Sequence, residues 1–378
     1  MALLSNLWVH GLSFVVVLTV IVFVHEWGHY IIARLNGIRV EIFSIGFGRE
    51  LFGWNDRHGT RWKIALVPLG GYVKFFGDAN AVSMPGGAPP DLTPAERAVS
   101  FHHKSVARRA AVVFAGPAAN FVFATLVFAL LFGTVGQPFT PPIVGGVLPG
   151  TPAAAAGFEA GDRILAIDGH PIERFQDLQM LIAFRADTAL AVEVERSGAH
   201  KTLEVTPRRV ERTGGLGGPA KVGQIGIQST SAFEFVRRPP LSALWYGAKQ
   251  CSDIVQTTMT YLAGVVEGRE SGDSLSGPLG IAKITGDVAH VGLIDLVQLV
   301  AMLSVSIGLV NLFPIPVLDG GHLLFYALEA IRGRPLGEKA QEYSFRFGLV
   351  VVLSVFVFAT WHDLIKFGIG PFLSGLFS

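Results

Sequence analysis

The run GLSFVVVLTVIVFVHEWGH, residues 11–29, decides how the rest of the chain is read. Its first part is almost wholly apolar and approaches the ~20 residues that a helix needs to cross a bilayer. Its end carries His25, Glu26 and His29. Ionisable groups at membrane depth are costly and mark function by default. His25 and His29 stand four positions apart, so a helix puts both imidazoles on one side, and Glu26 directly follows the first. In the pattern H-E-x-x-H, two imidazoles bind zinc and the glutamate acts on bound water. The plain alternative for Glu26 is a helix-end residue near the membrane interface.

Two imidazoles leave zinc short of ligands, because a hydrolytic site has about three protein ligands and an open position. A third polar group is therefore sought at membrane depth. Asp319, in NLFPIPVLDGGH (residues 311–322), fits. It follows a Pro-x-Pro pair, Pro314 and Pro316, that must break a helix. Irregular backbone in the membrane is tolerated only inside protein or beside a wet cavity. Gly320 and Gly321 are expected to let the chain turn and approach a metal closely. His322 is the alternative third ligand, and a simple capping role is the alternative for Asp319.

The bulk numbers agree with a membrane setting. Of the 378 residues 50% are hydrophobic and only 16% are charged, against about 25% charged in soluble domains. Mean hydropathy is +0.48. A net charge of +1 offers no basic field, so nucleic acid is not expected as a partner. The single Cys251 excludes an internal disulfide and a cysteine-based zinc site.

Apolar runs predict membrane-spanning helices near residues 12–32, 110–133, 294–313 and 347–361, the last extendable to about 369. The opening MALLSNLWVH has no Lys or Arg, so a cleavable signal peptide is not expected. Arginines and lysines crowd the loop between the first two runs, from Arg34 to Arg109. Arg332, Arg334, Lys339 and Arg346 lie between the last two. The positive-inside rule puts both loops in the cytoplasm and the termini outside. Both polar motifs then fall at the cytoplasmic ends of their spans.

Between the second and third runs, short β-like stretches such as DRILAIDG, LAVEVERSG and KTLEVTPR flank the helical pattern FQDLQMLIAFRA. The expected domains are 1–137 (two spans and the H-E-x-x-H motif), 138–232 (the β-rich domain), 233–292 (a helical connector, on the membrane surface or in solvent) and 293–378 (two spans and the Asp319 motif). Residues 78–94 read as a flexible insertion.

HEWGHY in the first span, NLFPIPVLDGGH after the third and a β-rich domain between them resemble the site-2 protease family of intramembrane zinc metalloproteases, nearest the bacterial regulator-of-sigma-E type. The resemblance covers nearly the whole chain. It implies a polytopic α-helical membrane protein with four transmembrane helices, a membrane-associated β-hairpin and one extracytoplasmic PDZ-like α+β domain. It further implies His25, His29 and Asp319 as ligands of Zn2+, and Glu26 as the catalytic residue. Asn311 matches an asparagine that holds the substrate backbone, and Pro314 and Pro316 share its motif. FSIGFG (residues 43–48, with Gly46, Phe47 and Gly48) and VPLGGYVKF (residues 67–75) resemble the hairpin that pairs with an unwound substrate, through a free edge on FSIGFG; a plain glycine loop is the alternative. GPAAN (residues 116–120) resembles the family's second-span motif. The PDZ-like stretch GVLPGTPAAAAGFEAGDRILAIDG occurs once here, whereas the best-known member has two such domains.

The implied activity is cleavage of single-span membrane proteins after a first cut outside, in the lipid bilayer of a bacterial cytoplasmic membrane. An anti-sigma factor or remnant signal peptides are the substrates that the resemblance implies. Two other classes compete. A non-catalytic PDZ scaffold capturing C-termini would have no need of a buried acid at Glu26. A metal transporter would need polar ligands along several spans, and the second and fourth offer little beyond Asn120.

Overall fold

A computed structural model describes residues 2–77, 92–172, 174–183, 185–213, 219–230, 234–268 and 276–366. Most of the insertion expected at 78–94 lies outside them, as does any extension of the last span beyond 366. The chain forms two compact units. One comprises Met1–Ala129, Leu244–Gln256 and Gly272–Ser378; the other comprises Leu130–Ala243 and Thr257–Ser271.

The first unit opens with helix α1 (Ala2–Leu35). Two long strands follow, β1 (Val40–Asn55) and β2 (Arg61–Phe75). They do not form a simple hairpin. Phe43 is in register with both Val73 and Trp62, and Ile45 with both Gly71 and Ile64, while Trp54 pairs with Trp62. The start of β1 is therefore interior to the sheet. Residues 71–75 and 50–55 form its two edges. This corrects the expectation of a free edge on FSIGFG. Gly46 and Gly48 both have φ +88 and reverse the chain, so a later part of the same hairpin covers the side that would have been open. A core of Tyr30, Ile38, Val40, Phe43, Val73, Phe75, Phe101, Val112 and Val113 fixes this sheet against the helices. Phe43 is fully buried and stacks on Trp62 with ring centres 4.2 Å apart.

A short helix, α2 (Pro94–Val99), starts from a Thr93–Glu96 capping box. Next comes α3 (Val106–Thr134). It approaches α1 closely because both present small residues: a Cβ on Gly28 would stand 2.7 Å from Ala119 Cβ.

The second unit is β-rich. Its strands are β3 (Gln137–Phe139), β4 (Val144–Val147), β5 (Arg163–Ile167), β6 (His170–Pro171), β7 (Leu190–Arg196), β8 (Ala199–Val205), β9 (Arg208–Thr213), β10 (Pro219–Gln224), β11 (Ile227–Ser229) and β12 (Glu234–Val236), with α4 (Pro152–Ala155) and α5 (Phe175–Ala183) between them. The largest sheet has the order β6-β5-β7-β8. Leu190, Val192 and Val194 alternate inward along β7 and meet Phe175, Leu178 and Ile182 from α5. Asp162, fully buried, takes a bidentate pair of bonds from Arg196 (2.6 and 2.7 Å).

The remaining helices are α6 (Pro240–Val266), α7 (Pro278–Val291), α8 (Leu293–Asn311), α9 (Asp319–Arg332) and α10 (Glu338–Lys366). Four stretches are long and apolar enough to cross a membrane: Trp8–Leu35, Val106–Thr134, Leu293–Asn311 and Lys339–Ile365. The last helix begins well before residue 347, because its polar start is itself helical and carries an Arg346–Glu342 pair at i,i+4. The third ends at Asn311, short of Phe313, whose place before Pro314 disfavours helix.

Candidate active site

The helical period of α1 places His25 and His29 together. Their rings lie edge to face, 4.8 Å apart, and their Nε2 atoms are 3.2 Å apart. Both are buried, at 8% and 9% exposure. His29 Nδ1 lies 2.9 Å from the carbonyl oxygen of Val112. A proton donated there leaves the Nε2 lone pair directed inward.

Asp319 comes from the other end of the chain. It is the first residue of α9, whose N-cap position is Leu318. Its Oδ2 lies 3.1 Å from His25 Nε2 and 3.5 Å from His29 Nε2. That oxygen is buried and has no hydrogen-bond partner among the described residues. An orphaned carboxylate oxygen facing two imidazoles is explained by a cation. A tetrahedral zinc with bonds near 2.0–2.1 Å spaces its ligand atoms about 3.3 Å apart, which matches the three separations. Two nitrogens and one oxygen without thiolate suit zinc. Among the described residues, His25, His29 and Asp319 are the group whose ligand atoms converge. His322 lines the same cavity but is not among the converging three.

The cavity has a volume of about 230 Å³. Glu26 lines it, on the turn between the two histidines, and accepts a hydrogen bond from the Val73 backbone. The sheet edge at Gly71, Tyr72 and Val73 forms one wall. A Cβ on Gly71 would stand 3.1 Å from Glu26 Cγ, so strand and acid are in close contact. Phe47 and Asn311 also line the cavity, whereas Gly46, Gly48, Pro314 and Pro316 are not among its lining residues. Phe47 stacks on Tyr72 with ring centres 6.1 Å apart.

Several contributors escape a sequence reading. Val317 lines the cavity with φ +116, a strained conformation for a β-branched residue. Gly320 and Gly321 act differently from expectation. They do not reverse the chain at positive φ. They lie in the first turn of α9, where a Cβ on Gly320 would collide with the carbonyl oxygens of Leu312 and Phe313, and one on Gly321 would stand 2.5 Å from that of Ile315. They let the helix carrying Asp319 close onto the Pro-x-Pro loop. Arg109 on α3 pairs with Glu329 on α9 at 2.6 Å, both largely buried, and lies over the Tyr326 ring. No sequence signal marks a pair separated by that much chain.

An H-E-x-x-H helix, a converging aspartate and helices long enough to cross a membrane define a metallopeptidase of membrane type. The chain belongs to peptidase family M50, which it matches over residues 13–355. It is 47% identical over 366 residues to a Rhizobium meliloti protein named "Putative zinc metalloprotease", covering 96% of this chain and 98% of that one. A protein of the same name from Agrobacterium fabrum is 45% identical over 355 residues, with coverages of 93% and 94%. "Metalloprotease MmpA" of Caulobacter vibrioides is 43% identical over 389 residues, with coverages of 97% and 98%. The crystal structure of the PDZ domain of an SdrC-like protein from Listeria monocytogenes matches 24% of this chain and 90% of that one at 19% identity and a TM-score of 0.21, which assigns no fold. The chain is thus a metalloendopeptidase, and its cofactor is zinc.

Proposed function

We propose that this peptidase cuts within the membrane-embedded segments of single-span proteins, using His25, His29 and Asp319 to hold zinc and Glu26 as general base. The convergence of three donor atoms from α1 and α9 beside a sheet edge carries this reading. Zinc, when bound, supplies an activated water and Lewis-acid stabilisation of developing negative charge. Glu26 takes up a proton at its carboxylate and returns it to the leaving amine. The sheet edge at residues 71–75, apart from the Val73 amide that bonds Glu26, supports strand addition by an extended, unwound substrate. This role moves from FSIGFG to the edge that adjoins Glu26. Asn311 lines the same cavity, which supports a role for its amide in holding the substrate backbone.

The positive-inside asymmetry supports a cytoplasmic-membrane protein with its β-rich unit outside. We infer that this unit is PDZ-like and admits only substrates shortened by a first cut, an anti-sigma factor or a remnant signal peptide being the implied kind. In proteoliposomes, Glu26→Gln should retain zinc and lose cleavage of a single-span substrate by about 10²–10⁴-fold. Full cleavage by that variant would overturn the mechanism. The scaffold reading predicts instead that cleavage is absent from the wild type.

A further inference from the structure

Asn120, the last residue of GPAAN, is fully buried on α3 beside the histidines. Its amide nitrogen lies 3.4 Å from His25 Nδ1. Its amide oxygen is buried without a hydrogen-bond partner among the described residues. Val112, Gly116 and Asn120 stand at intervals of four along α3, so they form one stripe facing α1. Val112 contributes the carbonyl that fixes His29. Gly116 leaves room for both rings, since a Cβ there would stand 2.9 Å from His25 Cε1. Asn120 occupies the corresponding place beside the other imidazole.

An imidazole that offers Nε2 to a metal keeps its hydrogen on Nδ1. A buried N–H needs an acceptor. An amide nitrogen opposite that N–H would set donor against donor. Nitrogen and oxygen of an asparagine exchange places by a half-turn of the amide. We propose that Asn120 is a positioning residue for the zinc site: its amide, with the oxygen turned toward α1, accepts a hydrogen bond from His25 Nδ1–H. That bond holds Nε2 toward Asp319 and His29. Ser304 on α8 secures this part of α3, donating to the Asn120 backbone oxygen at 3.1 Å. The stripe then supplies an outer acceptor to each histidine, one from the backbone and one from a side chain. Such partners fix ring orientation and raise ligand basicity.

The inference rests on the zinc-ligand reading above, and the variants separate the two. Zinc affinity of the purified full chain is measured by chelator competition, with the melting temperature of the metal-free protein recorded beside it. Asn120→Ala should weaken zinc binding about 10–100-fold, and Asn120→Asp, which keeps an acceptor oxygen, should restore it. The metal-free melting temperature of Asn120→Asp should stay near that of wild type. His25→Ala should lose the site. Should Asn120→Ala not fold, the ¹⁵N shifts of His25 in the zinc-loaded wild type decide: Nδ1 protonated and hydrogen-bonded supports the role, and the opposite tautomer overturns it. Unchanged zinc affinity in a folded Asn120→Ala, or failure of a folded Asn120→Asp to restore it, overturns the inference alone. Retention of zinc by His25→Ala overturns the ligand reading beneath it.

Discussion

Gly116 and His29 leave no space for a methyl group between them: a Cβ on Gly116 would collide with His29 Nε2. Gly116 therefore belongs to the proposed zinc site, although it offers no ligand. Gly116→Ala should displace the imidazole and weaken zinc binding about tenfold or more, as read by chelator competition. Unchanged affinity would mean that the rings have slack that this packing denies them.

The loop that delivers Asp319 should respond to its two kinds of constraint in opposite ways. Val317 holds φ +116 at a cost of about 1–3 kcal/mol, so Val317→Gly should leave thermal stability equal or higher. Gly320→Ala should lower it and release zinc, because the added methyl would meet the Leu312 and Phe313 carbonyls. Melting curves with metal analysis check both, and a destabilised Val317→Gly would contradict the strain.

Arg109→Ala should destabilise the fold by about 3 kcal/mol, the lower end for breaking a buried pair, because Glu329 is left without its charge partner. The loss should be smaller in the double variant Arg109→Ala with Glu329→Gln. Denaturation midpoints in detergent of wild type, Arg109→Ala, Glu329→Gln and the double variant give the coupling, and strict additivity would deny it.

The sheet carries a pH dependence of its own. Burial raises the Asp56 pKa, but bonds from the Thr60 amide, Trp62, Tyr30 and the His58 amide outweigh it and hold the carboxyl down, from an ordinary 3.8 to about 2. A carboxylate with a depressed folded pKa stabilises fully above its unfolded value and loses that contribution as pH falls through the folded one. The stability advantage of wild type over Asp56→Asn should therefore persist at neutral pH and shrink between about pH 4 and pH 2. Thermal melts across that range test it; a constant difference would show that Asp56 acts through shape alone.

The residues that the fold brings together were marked in the sequence where local pattern was enough. His25 and His29 were readable because four residues nearly complete a helical turn, and Asp319 because an acid after an apolar run has few benign roles. The four apolar helices were readable because each is a run of about 20 largely apolar residues. The sheet was not. Alternation announces strands, but Phe43 meeting both Val73 and Trp62 depends on where Gly46 and Gly48 reverse the chain. Gly320 was marked as special, yet its reason is a packing contact with Leu312 rather than a turn. Asp363 gave no signal. It is buried on α10 and accepts bonds from the Gly277 and Gly280 amides, at 3.1 and 2.7 Å, at the start of α7. Contacts between distant segments follow from the assembled fold, not from local pattern.

The proposed chemistry requires one ion between α1 and α9. X-ray absorption at the zinc edge on the purified chain, beside Asp319→Ala, tests it most directly. One zinc per chain is expected, with two imidazole nitrogens in its shell, and a sharp loss of bound zinc in the variant. Full zinc occupancy with an unchanged shell in Asp319→Ala would contradict it.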